Sequence, residues 1–417
     1  MREFTLSATG TPPVRALAHG RRFASGACGP PGHCPLLLAG DSRLDLAAVA
    51  AWALATGHQI VLRPRGVTAM PAGVAAEVTA AGVLRTPAAA APPSAPGPAA
   101  WRVAMYTSGS TARPRAYGFS LAQLDQLASW YTTIYTVTGQ SVICTALPVT
   151  YNFTFVAGLY LAAKLGARLH LADPAAVFTD AASLARHHDR CVVLGNPVLL
   201  AKPPPARLPG SVLIDSGGAP LSTTAICRYR EDVADLREGY GLTETGSLTH
   251  FDTEATAQSL GTVGAAVPGV HAGIVDRDGQ PRIAVTTPAL GAPADDPATV
   301  PAPRRLETSD AGRLDDAGRL RVLGRADDHP IGGLWPRDTL DLIGPVLGTA
   351  CALIRHPSAD TVHVRLHRAP SPATVPTICS RVMAATGLPA TAVTIDTADG
   401  PLLHSSKLTR SARNQHP

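Results

Sequence analysis

The chain has 417 residues, 45% of them hydrophobic and 16% charged, which excludes a disordered polymer and leaves room for more than one domain. The formal net charge of +5 comes from dispersed Arg and Lys without runs and with few aromatics among them, so no nucleic-acid partner is expected. The mean hydropathy of +0.11 reflects alanine rather than membrane character.

The opening Met1 to Leu6 lacks the apolar run of a signal peptide, and a soluble, cytoplasmic protein without a membrane span is expected. Cys28 and Cys34, with His33 between them, fit no usual zinc spacing and read as a Gly/Pro-rich loop with reduced thiols. Leu36 to Gly40 reads as a buried strand, Leu44 to Thr56 as an Ala-rich helix too short to span a bilayer, and His58 to Leu62 as a second strand. Strand, helix and strand at this spacing make a βαβ unit and hence an α/β fold with parallel strands. Thr86 to Ala100 is Ala/Pro-rich and reads as a loop. Trp101 to Met105 reads as a strand. A second βαβ unit runs from Ser141–Cys144 through an apolar helix, Phe155 to Leu165, to the strand Ala167–Leu171. Val192–Leu194 and Val212–Ile214 follow as buried strands, and Thr286 to Arg304 as a Pro/Ala-rich loop. A change of character after Gly324-Arg325-Ala326-Asp327-Asp328 predicts a small second domain with short strands such as Val362–Leu366.

The sharpest local feature is Tyr106-Thr107-Ser108-Gly109-Ser110-Thr111-Ala112-Arg113-Pro114-Arg115, directly after the Trp101–Met105 strand. Its hydroxyls and backbone N–H groups suit a phosphate nest, and the two arginines supply charge. The spacing is not that of a Walker loop. A plain Ser/Thr-rich turn is the alternative for this segment taken alone.

The loop is followed in order by Ser216-Gly217-Gly218-Ala219-Pro220-Leu221, Tyr240-Gly241-Leu242-Thr243-Glu244-Thr245, Gly261-Thr262-Val263-Gly264, Thr308-Ser309-Asp310, Gly324 to Asp328 and Ser406-Lys407-Leu408-Thr409-Arg410. This ordered set resembles the adenylate-forming (AMP-binding) superfamily of acyl- and aryl-CoA synthetases and adenylation domains. The resemblance implies a large N-terminal domain of parallel-rich sheets flanked by helices, residues 1–326, shortened at its start relative to the family. A small mobile α+β domain, 327–417, would carry the catalytic lysine. It implies that Thr107, Ser108, Gly109, Ser110 and Thr111 wrap the β- and γ-phosphates of ATP. Gly218, Ala219 and Pro220 would lie along the adenine, Tyr240 would stack on it, and Asp310 would accept from the ribose hydroxyls. Arg325 would contact ribose or phosphate. Thr243 would touch the α-phosphate, Glu244 would hold Mg²⁺, Asp327 would be the hinge, and Lys407 would bridge the carboxylate and the α-phosphate. The implied activity is formation of an acyl-adenylate with release of pyrophosphate, then transfer to a phosphopantetheine thiol of CoA or of an acyl carrier protein.

Three positions depart from the family pattern: Ala112 and Ser406 stand where Gly is usual, and Arg115 where Lys is usual. Ahead of the 155–165 helix, Tyr151, Asn152 and Phe153, with Gly217, are the expected acid pocket; the rings suit an aromatic acid and Asn152 a ring hydroxyl or the carboxylate. An aromatic or hydroxyaromatic acid is therefore expected. A fatty or short-chain acid, or a catalytically weak nucleotide-binding scaffold, is the alternative. In the family an amino-acid substrate is met by an Asp on this stretch, and none occurs between Pro148 and Gly158. Arg337, Arg355, Arg365 and Arg368 are candidates to meet CoA phosphates or an acidic carrier protein, with solvated surface charge as the alternative.

Overall fold

The computed structural model describes residues 1–24, 36–39, 43–64, 67, 76–78, 84–85, 101–107, 114–294, 305–367, 371 and 373–397. Val142–Thr145, Cys191–Gly195 and Val212–Ser216 are buried at every position, as strands covered on both faces must be. They pair in parallel, with Val142 opposite Cys191 and Cys191 opposite Val212. Arg168–Leu171 and Thr5–Ala8 extend the parallel run on one side, and Asp235–Tyr240 on the other. Short antiparallel strands complete this nine-stranded sheet at both ends. A parallel run brings its C-terminal strand ends to one edge, so the loops after Thr145, Gly195, Ser216 and Tyr240 gather there.

The first predicted βαβ unit is Leu36–Ala39, the helix Arg43–Ala55 and Ile60–Arg63, in a second, seven-stranded sheet. Val103–Tyr106 pairs with Ile60–Arg63 in parallel and with Ala116–Phe119 in antiparallel. Between the two sheets runs the helix Leu121–Tyr135. Ser120 starts it with a capping box, its hydroxyl accepting from the Gln123 N–H while the Gln123 side chain accepts from the Ser120 N–H. Leu124, Leu127, Ala128, Tyr131 and Tyr135 form its buried face.

Two expectations change. The apolar segment predicted as an α-helix over 155–165 opens as a π-helix, Thr154–Tyr160, and becomes α only over Leu161–Leu165. The Leu161 N–H reaches back five residues to the Val156 carbonyl, a register that apolar spacing does not reveal. Within the predicted loop 286–304, Ala292–Pro293 forms a short edge strand against Tyr117–Gly118. An edge tolerates a proline because one side of the strand needs no donor. Residues 295–304 and the whole predicted loop 86–100 lie outside the described residues.

A four-stranded antiparallel sheet follows: His271–Arg277, Gln280–Thr286, Arg305–Leu314 and Leu320–Arg325. The last described strands form a three-stranded sheet, Ala352–Ser358, Thr361–Leu366 and Val393–Thr397, covered by the helices Pro336–Leu347 and Thr374–Thr386. Alternate residues Val362, Val364 and Leu366 join Ile343, Ile354, Ile378 and Val382 in an apolar cluster of their own. Among the described residues no helix is long and apolar enough to cross a membrane.

Candidate active site

Two cavities meet at the C-terminal edge of the nine-stranded sheet. The first is lined by Gly218, Ala219, Pro220, Tyr240, Asp310 and Arg325, six of the residues singled out in the sequence. The loop after Val212–Ser216 reaches it through Gly218, whose φ of +87° is open to glycine. Asp310 and Arg325 face each other across neighbouring strands, and this register makes their contact. The Arg325 guanidinium donates to Asp310 Oδ1 at 2.5 Å, and the Tyr240 hydroxyl donates to Asp310 Oδ2 at 2.8 Å. The Asp310 N–H donates to Thr308 Oγ1. Burial, and then the charge of Asp310, push the Tyr240 phenol well above its usual range, so it stays a donor. The result is a rigid carboxylate with lone pairs left over, suited to a diol.

The second cavity is lined by Tyr151, Asn152, Phe153 and Gly217 of the expected acid pocket, and also by Tyr131, Asn196, Asp215, Thr243 and Ser247. A Cβ at Gly217 would sit 3.4 Å from the Phe153 ring, so the ring lies against bare backbone there. Asn196 is fixed as the N-cap of the helix Pro197–Leu200, accepting from the Leu199 N–H. Tyr131 and Tyr135, four residues apart on one helix face, turn their hydroxyls to Ser247 and Asp215 respectively. Asp215 is 1% exposed. Its neighbours Val212 and Ile214 belong to the apolar cluster on one face of the sheet and Leu213 to that on the other, so strand alternation puts Asp215 on the Leu213 side. Burial pushes its carboxyl up to about 7, the Tyr135 hydroxyl opposes this, and the charge of Glu238 adds to it.

Gly218, Gly239, Gly241 and Leu242 line both cavities, so one backbone wall separates them. A side chain at Gly241 would meet the Ser247 carbonyl group at 2.2 Å, and only glycine lets the two loops approach so closely. Directly after this wall, Thr243–Thr245 makes a 3₁₀ turn closed by Gly246 in the left-handed region. Thr243 lines the second cavity. The Glu244 carbonyl accepts from the Gly291 N–H, which fixes the turn, while no hydrogen bond or ion pair holds the Glu244 carboxylate among the described residues. No group of three or more His, Cys, Asp or Glu that could hold a metal occurs among the described residues. A magnesium ion bound mainly by phosphates and water needs only one or two protein carboxylates, and Glu244 has the right chemistry for that role.

Asp327 is half exposed and accepts from Arg355 at 2.8 Å. Sequence reasoning passed over its neighbour Asp328, which is fully buried and receives Arg355 Nε, the His356 N–H and the Arg325 N–H. Arg337, a candidate for meeting an external anion, is instead 2% exposed; it lies 3.6 Å from Glu238 and 3.3 Å from Asp341. The reason is its position on the inner face of the Pro336–Leu347 helix. Burial strips its hydration, yet the charges of Glu238 and Asp341 hold it above its usual range. Arg355 and Arg365 are likewise paired, with Asp327 and Asp328 and with Asp396. Thr107 is described, its N–H donating to the Arg115 carbonyl and its hydroxyl accepting from the Arg115 N–H. Ser108, Gly109, Ser110, Thr111, Ala112, Arg368, Ser406 and Lys407 lie outside the described residues, as do Cys28, His33 and Cys34.

A model of the AMP-binding enzyme family matches residues 45–287. Acyl-CoA ligase sidI of Beauveria bassiana is 28% identical over 186 residues, 42% of this chain and 32% of that protein, so the matched region spans about a third of that relative. The fold is similar to o-succinylbenzoate CoA synthetase (MenE) from Bacillus subtilis in complex with the acyl-adenylate intermediate, with a TM-score of 0.74, 20% identity and coverage of 99% of this chain and 95% of that one. It is also similar to a benzoate CoA ligase from Burkholderia xenovorans, with a TM-score of 0.69, 16% identity and coverage of 95% and 93%. At such identities the two structures speak for the shared fold alone. The family match covers more than half of the sequence, and the chain belongs to the AMP-binding enzyme family.

Proposed function

We propose that the protein joins a carboxylic acid to the thiol of CoA at the expense of ATP, through an acyl-adenylate. The observation that carries this reading is the pair of cavities divided by the Gly218, Gly239, Gly241 and Leu242 wall. The nucleoside would occupy the first, against Tyr240, Asp310 and Arg325, and the acid the second, against Tyr151, Asn152, Phe153 and Gly217. The acid carboxylate and the α-phosphate would then meet beside Thr243. One carboxylate oxygen forms a bond to phosphorus, and the bond to the β-phosphate oxygen breaks to release pyrophosphate. The thiol next adds to the acyl carbon, loses its proton and expels AMP. Both steps draw their rate mainly from positioning and from fixed charge near the phosphates.

In this reading Ser108, Gly109, Ser110 and Thr111, with Thr107, hold the terminal phosphates, and Lys407 neutralises the attacking carboxylate. Glu244 would hold a magnesium ion, which would supply positive charge against the phosphates. Residues from 327 onward form a lid that turns about Asp327 between the two half-reactions. Aromatic lining by Tyr131, Tyr151 and Phe153 favours an aromatic acid. The similarity to an acyl-CoA ligase favours CoA over a carrier protein as acceptor.

The reading is tested by incubating the protein with ATP, Mg²⁺ and a panel of benzoic, cinnamic, fatty and amino acids, with and without CoA. Expected are acid-dependent AMP and pyrophosphate, and a CoA thioester identified by mass. Acid-independent hydrolysis, or formation of ADP instead of AMP, would overturn it.

A further inference from the structure

Among the described residues, the lining of the acid-side cavity holds one carboxyl side chain, Asp215, and one of its oxygens has no partner. Oδ2 receives the Tyr135 hydroxyl at 2.5 Å, whereas Oδ1 is buried and has no hydrogen-bond partner among the described residues. Thr154 Oγ1, on the same lining, is also buried and without a hydrogen-bond partner among the described residues. The bare backbone of Gly239 borders Oδ1, since a Cβ there would lie 3.5 Å from that oxygen. Such an atom loses the full value of its hydration unless something donates to it, and in a native fold it is nearly always satisfied. Every other described residue lining this cavity is neutral, so nothing of opposite charge among them compensates Asp215.

We infer that Asp215 is a specificity-determining residue, and that the acid activated here carries, besides its carboxylate, a hydrogen-bond donor, a hydroxyl or an amine, that meets Asp215. This inference rests on the proposed acid-activating function of the same cavity. Asp215 lies on the strand Val212–Ser216, ahead of the Gly217-Gly218 turn, and lines the cavity beside Gly239. A donor there completes Oδ1. Above about pH 7, where Asp215 is ionised and where the acids are compared, a second carboxylate in the same place would face a buried acceptor and another negative charge, so dicarboxylic acids are rejected there. A site built around a hydrogen bond discriminates strongly against analogues that lack the group, because its own buried atom is then left bare.

The test uses two matched series: benzoate, 3- and 4-hydroxybenzoate, 4-(aminomethyl)benzoate and terephthalate; and hexanoate, 6-hydroxyhexanoate, 6-aminohexanoate and adipate. Pyrophosphate release gives kcat/KM for each acid. The same acids are titrated calorimetrically against the protein holding a non-hydrolysable ATP analogue. In the better-bound series, a donor-bearing acid should exceed its parent by about 10²-fold or more, and the diacid should fall below the parent. The hydroxyl and ammonium arms decide which donor the site takes. In Asp215→Ala the ratio of donor acid to parent should collapse to within a few-fold of one. Tyr135→Phe, which leaves the carboxylate in place, should keep a ratio well above one. A ratio within one variant cancels any loss of folded protein. Equal use of parent and donor acids by the wild type, or an unchanged ratio in Asp215→Ala, overturns the inference. If no acid yields pyrophosphate, the acid-activating function fails while the binding ratios still decide the role of Asp215. If no acid binds, both fall.

Discussion

Asp310→Ala removes the carboxylate around which the cavity proposed for the nucleoside is organised. In the free protein the change deprives Tyr240 of the acceptor at 2.8 Å and Arg325 of the one at 2.5 Å. The Arg325 side chain is 25% exposed and recovers much of its solvation from water, so the stability loss is only about 1–2 kcal/mol. The effect on ATP is larger. Hydrogen bonds to a charged acceptor are worth about 1.5–3 kcal/mol each, and two ribose hydroxyls on Asp310 give roughly a hundredfold loss of affinity even at the lower bound. Calorimetry with ATP and with 2′,3′-dideoxy-ATP separates ribose recognition from general damage. The wild type should bind the dideoxy nucleotide far more weakly than ATP, and Asp310→Ala should bind both equally weakly. A variant that still prefers ATP over its dideoxy form by the wild-type factor would refute the ribose role, whatever its absolute affinity.

Arg337→Ala leaves Glu238 buried without its cation, and about 3–5 kcal/mol of stability should be lost in denaturant unfolding; adding Glu238→Gln should restore much of it, and strict additivity would contradict the pairing. Asp215 has its folded carboxyl raised from 3.8 to about 7, so its contribution is fully present below pH 3.8 and is lost as pH rises through about 7. The stability of Asp215→Asn relative to wild type should therefore rise between about pH 4 and pH 7 and level off above, by roughly 4 kcal/mol at most at 1.36 kcal/mol per pH unit; a flat difference would show that Asp215 is not buried as described. Lys407→Ala should abolish adenylation while leaving thioester formation from supplied acyl-adenylate largely intact, and wild-type adenylation by this variant would remove Lys407 from the site.

What the sequence made legible was the part governed by local rules. Buried strands such as Val192–Leu194 show as short β-branched runs, and the βαβ spacing fixes parallel pairing, hence the edge at which loops meet. The ordered glycine and hydroxyl motifs then mark which loops those are. Residues acting through tertiary placement were not legible. Asp215 precedes a conspicuous Ser-Gly-Gly turn, yet its burial depends on Tyr135 from a helix about eighty positions earlier. Nothing in the spacing of Tyr131 and Tyr135 distinguishes a lining face from an ordinary core face. Arg337 read as a surface charge because the sequence does not say that Glu238 lies beneath it. Asp328 had one signal, the doubled acid after Gly-Arg-Ala, and the exposed member of the pair drew the attention. The π-helical opening at Thr154 was hidden for a related reason: a wholly buried helix has no polar face to mark its period.

The most direct test of the adenylate route follows oxygen. An activated acid carrying ¹⁸O in both carboxylate positions is turned over with ATP, Mg²⁺ and CoA, and the nucleotide and phosphate products are weighed. Attack of the carboxylate on the α-phosphate predicts AMP containing one ¹⁸O atom and pyrophosphate containing none. Label in pyrophosphate or inorganic phosphate, or AMP free of label, would contradict the account.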